Sequence, residues 1–156
     1  APTVGRWVIM TACAQAAIWR RHHPDFRMSV NLSASQFRAG GVPAVVSQAL
    51  ITHALSPEAL KLEITENIVL DQEELVLPQL RQVRDMGVDL SFDDFGTGYA
   101  SLNLLKSYPI THIKIDKSFT QSVESSPHDR AIVSSLLDLT RQIGIKVIAE
   151  GVETEE

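Results

Sequence analysis

The sequence predicts an α/β fold, a (β/α)8 barrel that is incomplete in this chain. Five short runs rich in Val, Ile, Leu and Phe have the composition of buried strands, and segments with helix start and stop signals separate them. The expected strands are Arg27–Ser33, Lys61–Thr65, Asp89–Asp93, His112–Asp116 and Lys146–Glu150. This alternation predicts parallel strands joined by right-handed crossovers. At roughly 31 residues per unit, the chain holds about five of the eight units of a barrel.

The segment before the first expected strand, from Trp7 to Trp19, is apolar with a helical repeat. It is shorter than the about 20 residues that a membrane-spanning helix needs, so we expect no membrane insertion in this segment. Cys13, the only cysteine of the sequence, lies on this stretch. A lone cysteine of this kind is typical of a small buried side chain in a reducing compartment. We therefore expect a cytoplasmic domain, whose parent protein can still be tethered to a membrane.

The later helices also have recognisable boundaries. Asp71 and Glu74 have the spacing of a capping box, which predicts a helix that begins at Asp71 and ends at Gly87. Pro78 lies inside this helix and predicts a kink or a restart. The remaining boundary signals are Ser56-Pro57 for a short turn, and Ser126-Pro127 and Gly144 for the start and end of the last full helix.

Side chains that alternate along each strand separate the expected sheet into two faces. One face is apolar throughout and contains pairs such as Val30/Leu32 and Leu62/Ile64. The opposite face carries mostly charged and polar side chains. An open sheet with helices on both sides should be apolar on both faces. A barrel whose interior opens into a solvent-filled active site accommodates polar side chains on its inner face. The two faces therefore favour the barrel over an open, doubly wound sheet.

The composition excludes several classes of protein. Hydrophobic residues make up 44% of the chain and charged residues 21%, which are ordinary values for a globular domain and not those of a disordered one. The net charge is −5, and no stretch concentrates Lys and Arg. Non-specific binding to a nucleic-acid polymer needs clustered cations, so we expect none. The chain begins without Met, and we expect it to be a fragment of a longer protein.

Seven polar side chains lie at or near the carboxyl ends of the expected strands, where barrel enzymes place their chemistry. They are Asn31, Glu63, Asp93, Asp94, Lys114, Asp116 and Glu150. The carboxylates outnumber the one ammonium by four, a charge that cannot be buried without protons or cations. Two divalent cations would neutralise it. Oxygen ligands without a cysteine cluster favour Mg²⁺ or Mn²⁺, with Ca²⁺ as a non-productive occupant.

Several chemistries remain open for this group of residues. A pair of metals about 4 Å apart suits in-line attack on a phosphodiester. Lys114 could hold or activate the attacking water, stabilise transition-state charge, form a Schiff base or act as an enolase-type base. A glycosidase is disfavoured because aromatic residues, the usual sugar platforms, make up only 6% of the chain. The glycines of Phe95–Tyr99 predict an active-site loop beside Asp93-Asp94, with a hydrogen bond to Glu66.

Five sequence blocks resemble the EAL domain family, in the family's order and spacing. The blocks are Asn31-Leu32-Ser33 with Gln36-Phe37, Leu62-Glu63-Ile64-Thr65-Glu66, Asp93-Asp94-Phe95-Gly96-Thr97-Gly98-Tyr99, Ile113-Lys114-Ile115-Asp116 and Ala149-Glu150-Gly151-Val152-Glu153-Thr154. Members of that family are bacterial phosphodiesterases that linearise the second messenger cyclic di-GMP on a modified (β/α)8 barrel. The resemblance implies this fold and activity, with Mg²⁺ or Mn²⁺ as cofactor and two ions per complete site.

The resemblance also implies a role for each matching residue. The positions that match metal ligands are Asn31, Glu63, Asp93 and Asp94, the last for the second metal, and Glu150 matches a catalytic carboxylate beside the metals. Lys114 matches the residue that holds or activates the hydrolytic water. We also expect Asp116 to contribute to substrate binding.

Glu66 matches the glutamate that anchors the Asp-Phe-Gly-Thr-Gly loop, and we expect Thr97 to take part in the same anchoring. In the family this loop contributes to dimerisation. The resemblance therefore implies a homodimer, and it allows fused sensor or diguanylate cyclase domains in the parent protein.

One departure from the family pattern concerns its name-giving Glu-Ala-Leu motif. Glu58-Ala59-Leu60 spells these letters but precedes an expected strand, at the opposite end of the barrel from Asp93, so we interpret it as a coincidence. The family's first strand would precede Ala1, and its last strand and helices would follow Glu156. We therefore expect little hydrolysis by the isolated chain, and oligomerisation or strand exchange through the open sheet edges. The alternative function is a non-catalytic cyclic di-GMP receptor.

Overall fold

The structure, a computed structural model, describes residues 2–96 and 102–152. The five described strands are β1 (Met28–Asn31), β2 (Leu60–Thr65), β3 (Asp89–Phe95), β4 (His112–Ile115) and β5 (Lys146–Ala149). The described helices are α1 (Pro2–Trp19), α2 (Ala34–Ala39), α3 (Val42–Thr52), α4 (Glu66–Asp71), α5 (Glu73–Asp85), α6 (Leu102–Ser107), α7 (Lys117–Ser122) and α8 (Pro127–Ile143). A single 3₁₀ turn, Pro57–Ala59, leads into β2.

The strands form one parallel sheet in which each strand pairs with the next one along the chain, in the order β1-β2-β3-β4-β5. A doubly wound sheet would reverse its strand order at a switch point. The predicted α/β fold with parallel strands is confirmed, and the sequential order is that of a barrel wall. Among the described strands the sheet stays open, with β1 and β5 at its edges.

The apolar face of the sheet forms the core with the helices. Leu62 of β2, Phe92 of β3 and Ile113 of β4 are fully buried there. They share the core with side chains of α1, α3 and α5, such as Ile9 and Val46. Full burial of a side chain of this size stabilises the fold by about 1.5–3 kcal/mol. The predicted assignment of this face to helix packing is confirmed for β1 to β4, whereas on β5 Val147 is half-buried and Ala149 is exposed.

The first helix, α1, covers the whole predicted segment from Trp7 to Trp19. Cys13 is completely buried on its inner side, and burial raises the pKa of its thiol to about 11. Trp7 lies on the outer side and is 65% exposed. In the described part of the chain, no helix has both the length and the apolar composition that crossing a membrane requires.

One helix boundary was predicted wrongly. Asp71 does not cap α5 but is the last residue of α4, because that helix begins directly after β2 and continues through an apolar run. Gln72, with φ −145° and ψ 41°, separates the two helices. At Pro78 a kink or a restart was expected; α5 continues through this residue without a restart, and the kink stays a prediction.

The boundaries of α8 agree with the prediction. The Ser126 hydroxyl accepts a hydrogen bond from the Asp129 backbone N–H at 3.2 Å, which caps the helix. Gly144 ends it with φ 75°, a left-handed conformation that favours glycine. The predicted turn at Ser56-Pro57 is present as the 3₁₀ turn before β2.

Candidate metal and catalytic site

The ammonium group of Lys114 lies at the centre of a group of carboxylates on the polar face of the sheet. Its Nζ lies 3.1 Å from Glu63 Oε2, 2.8 Å from Asp93 Oδ1 and 2.7 Å from Glu150 Oε1. Lys114 is on β4, and its three partners are on β2, on β3 and directly after β5. Four strands therefore converge on one ammonium group, as the alternation of side chains along parallel strands predicts.

These contacts determine the charge of Lys114. Burial by itself lowers the pKa of the ammonium group, but the hydrogen bonds to Asp93, Glu150 and Glu63 outweigh it and raise the pKa above its ordinary value of 10.5. Lys114 is therefore a cation at neutral pH. A Schiff base or an enolase-type base needs the neutral amine, so the geometry disfavours both of these alternatives.

Three carboxylates form a compact group beside this lysine. Each of the three contributes one carboxylate oxygen, and these oxygens lie within 4.8 Å of one another; the residues are Asp93, Asp94 and Glu150. Burial, and then the charges of three neighbouring carboxylates, raise the pKa of Asp94. A group of hard oxygen donors that repel one another in this way suits a divalent cation such as Mg²⁺, Mn²⁺ or Ca²⁺.

The backbone at the end of β3 explains how two consecutive residues reach the same group. Asp94 has φ 52°, in the left-handed region that aspartate tolerates better than most residues. Its N–H donates a hydrogen bond to Asp93 Oδ1 at 3.1 Å. The pairing of β3 with β4 also shifts register between Phe92 and Phe95. Such an irregularity changes the direction of the side chains next to it, here those of Asp93 and Asp94.

The other predicted site residues lie around this centre. Glu63 is inside β2 and joins the group through Lys114. Asn31 is the register partner of Glu63 on β1, at the same end of the sheet, and is exposed. Asp116 follows β4 and caps α7 by accepting a hydrogen bond from the Ser118 N–H at 2.9 Å. The Ser118 side chain, and then this backbone bond, lower the pKa of the Asp116 carboxyl group.

Glu66 lies at the start of α4, next to the segment that follows β3. Its Oε1 accepts a hydrogen bond from the Gly96 N–H at 2.8 Å, and the side chain is 3% exposed. Glu66 Oε2 is buried without a hydrogen-bond partner in the described part of the chain. Burial raises the pKa of this carboxyl group, and the bond from Gly96 only partly opposes it. Anchoring of the loop by Glu66 stays a prediction, and Thr97 lies outside the described residues.

The raised pKa of Glu66 leads to a testable pH dependence. Between the ordinary pKa of 4.5 and the raised one, the folded protein binds a proton that the unfolded chain has released. Stability therefore falls as pH rises through this interval. We expect the free energy of unfolding of the wild type to fall more steeply from pH 4.5 to neutrality than that of Glu66→Gln, measured by urea denaturation. Identical slopes would contradict the role of burial, and exposed Glu74→Gln controls for the loss of one carboxylate.

The coincidental Glu-Ala-Leu match lies far from this centre. Glu58 is exposed in the 3₁₀ turn at the amino end of β2, whereas Asp93 and Lys114 lie toward the carboxyl ends of their strands.

His112 lies at the amino end of β4, and its Nδ1 is 2.8 Å from Thr111 Oγ1. Burial lowers the pKa of His112 to about 4, so the ring is neutral at neutral pH.

Sequence reasoning missed the contribution of α7 to this site. A Cβ built on Gly96 would lie 3.0 Å from Phe119 Cε2, and one built on Gly151 would lie 2.7 Å from Lys117 Cβ. Both glycines have positive φ, 99° and 68°. The sequence does show that each glycine closely follows a candidate ligand, which indicates a close approach by another segment. It does not show that this segment is α7, because only the fold determines which helix lies there.

Comparison with known proteins gives a consistent result. The family model described as "EAL domain" matches residues 1–156. The bifunctional diguanylate cyclase/cyclic di-GMP phosphodiesterase MucR of Pseudomonas aeruginosa is 43% identical over 153 residues, which are 97% of this chain and 22% of MucR. An uncharacterized signaling protein of Caulobacter vibrioides is 44% identical over 98% of this chain and 18% of its own length. The chain thus spans about a fifth of the length of these relatives.

Solved structures are similar over nearly the whole chain. The structure of the MucR phosphodiesterase in complex with cyclic di-GMP has a TM-score of 0.89 and 43% identity, over 98% of this chain and 62% of that one. A complex of BlrP1 from Klebsiella pneumoniae with calcium and cyclic di-GMP also has a TM-score of 0.89, at 27% identity, over 98% of this chain and 39% of that one.

Proposed function

This chain belongs to the EAL domain family, and on that basis we propose that the protein carrying it hydrolyses cyclic di-GMP to the linear dinucleotide in a metal-dependent reaction. The observation that carries the proposal is the position of Lys114, charged and within 3.1 Å of three carboxylates from different strands. The name of MucR and the cyclic di-GMP in its complex support this choice of substrate.

The donor set favours a divalent metal in this function. Asp93, Asp94 and Glu150 offer mutually close carboxylate oxygens, with Glu63 and Asn31 at the same end of the sheet. We propose that these five residues hold Mg²⁺ or Mn²⁺, with two ions in the complete site. When bound, the metals lower the pKa of a water molecule and polarise a phosphoryl oxygen.

The remaining roles follow from charge and position. The Lys114 ammonium group orients the attacking water and stabilises negative charge that develops on the phosphoryl oxygens. Glu150, at the edge of the group and 30% exposed, is placed to accept a proton. Asp116 lies at the same end of the sheet and contributes to substrate binding. Glu66 and Thr97 anchor the loop after β3. We propose a homodimer and a cytoplasmic parent protein. Further signalling domains in the parent protein are supported by relatives such as MucR, of whose length this chain covers 22%.

The test is turnover of cyclic di-GMP by the full-length protein with Mg²⁺ or Mn²⁺, followed by chromatography of the cyclic and linear dinucleotides. We expect hydrolysis that EDTA abolishes and added metal restores. Because the chain covers only 62% of the MucR phosphodiesterase chain, we expect the 156-residue chain alone to show little or no turnover. Binding of cyclic di-GMP without hydrolysis by the full-length protein would replace this proposal with a receptor function.

A further inference from the structure

Helix α7 lies between the two chain segments that carry the candidate metal ligands. It starts immediately after β4, the strand of Lys114. Its first turn is fixed by Asp116, whose side chain accepts a hydrogen bond from the Ser118 N–H and whose carbonyl accepts one from the Phe119 N–H. The start of α7 is therefore held in a defined position relative to Lys114.

The contacts of α7 with both segments go through glycines. The ring of Phe119 covers Gly96, where an added Cβ would come within 3.0 Å of it. Lys117 lies against Gly151 on the other side, at 2.7 Å from the position of an added Cβ. Gly96 follows Asp94 by two residues and Gly151 follows Glu150 directly. One short helix thus contacts both chain segments that supply the carboxylates of the group.

Phe119 contributes little to the hydrophobic core. It is only half-buried, and it is absent from the described side chains that form the core or pack against it. Its contact with Gly96 is therefore not explained by core packing. Gly96 therefore has two neighbours, since its N–H donates a hydrogen bond to Glu66 and a Cβ added to it would lie 3.0 Å from the Phe119 ring.

We propose that Phe119 is a positioning residue, which through Gly96 sets the distance between the Asp93-Asp94 pair and Glu150. This inference rests on the proposed metal-dependent function. The oxygens of the three carboxylates lie within 4.8 Å of one another, and a cation can be shared only while that spacing is kept. Loss of the ring lets the segment after β3 move toward α7 and opens the group.

The experiment measures Mn²⁺ affinity of the full-length protein by calorimetry, together with thermal unfolding. We expect Phe119→Ala to bind Mn²⁺ about tenfold more weakly, the loss typical of groups that orient metal ligands. Phe119→Leu should recover most of the affinity, because it keeps an apolar side chain over Gly96. Phe26→Ala is the matched control, since Phe26 is also partly buried but contacts Trp19 at the other end of the sheet.

The outcomes separate this inference from the proposed function. If the wild type binds no Mn²⁺, the metal-dependent function fails and the positioning role fails with it. If the wild type binds Mn²⁺ and Phe119→Ala binds it equally well, only the positioning role is overturned. Equal losses in Phe119→Ala and Phe26→Ala would overturn it too, because they would show a general effect of destabilisation. If the alanine variant does not fold, Phe119→Val answers the same question with a smaller cavity.

Discussion

Lys114→Met in the full-length protein is expected to lower the turnover number for cyclic di-GMP by about 10²- to 10³-fold, the usual cost of removing one preorganised group that faces transition-state charge. Methionine keeps the apolar stem of the side chain but carries no charge. Glu63, Asp93 and Glu150 would lose a common cation at 2.7–3.1 Å, and the attacking water would lose its orienting donor. The Kd for cyclic di-GMP should change far less than the turnover number.

The measurement is steady-state hydrolysis at saturating Mn²⁺, with the Kd determined separately in the presence of Ca²⁺. Lys106→Met serves as the control, because Lys106 is an exposed lysine near the end of α6. An unchanged turnover number in Lys114→Met would remove this residue from the mechanism. A large rise in Kd with an unchanged turnover number would instead assign Lys114 to substrate binding.

The convergence on Lys114 could be predicted from the sequence because it depends on two regularities. Side chains alternate along a strand, and parallel strands in sequential order present their carboxyl ends at one edge. These rules bring Glu63, Asp93 and Lys114 to the same face once each residue is assigned to a strand, because the face depends on the alternation and not on where the strand ends. The predicted strand ends differ from the observed ones by at most two residues, which leaves the assignment of faces unchanged.

Other features depend on the tertiary structure and could not be predicted. The left-handed conformation of Asp94 and the register shift beside it could not be predicted, because the sequence pattern indicates only that the strand ends at Asp93. The cap predicted at Asp71 is wrong because α4 begins at Glu66, a start that burial of Glu66 against Gly96 favours over a later one. The contact of Phe119 with Gly96 joins residues on different βα units, which no local pattern reveals.

Asp93→Asn is expected to weaken Mn²⁺ binding by more than the about 10- to 100-fold loss typical of changes outside the ligand set. Asp93 has two functions in this geometry, since it shares the three-carboxylate group and also accepts a hydrogen bond from Lys114 at 2.8 Å. The amide keeps the size of the side chain and one acceptor oxygen. It removes the negative charge that attracts the metal, and its NH₂ group cannot accept a bond from the lysine.

Asp89→Asn is a closely matched control for this change, because it alters the same residue type on the same face of the same strand. The side chains of Asp89 and Asp93 are 15% and 16% exposed. Both form ion pairs with cations: Asp93 with Lys114, and Asp89 with Arg27 at 3.0 Å and Arg84 at 3.5 Å. They differ in which end of β3 they occupy. If the metal site lies at the carboxyl ends of the strands, we expect Asp89→Asn to lower stability but to leave the Mn²⁺ affinity unchanged. Equal losses of affinity in the two variants would show that Mn²⁺ senses the overall charge of the sheet and not a site at its carboxyl end.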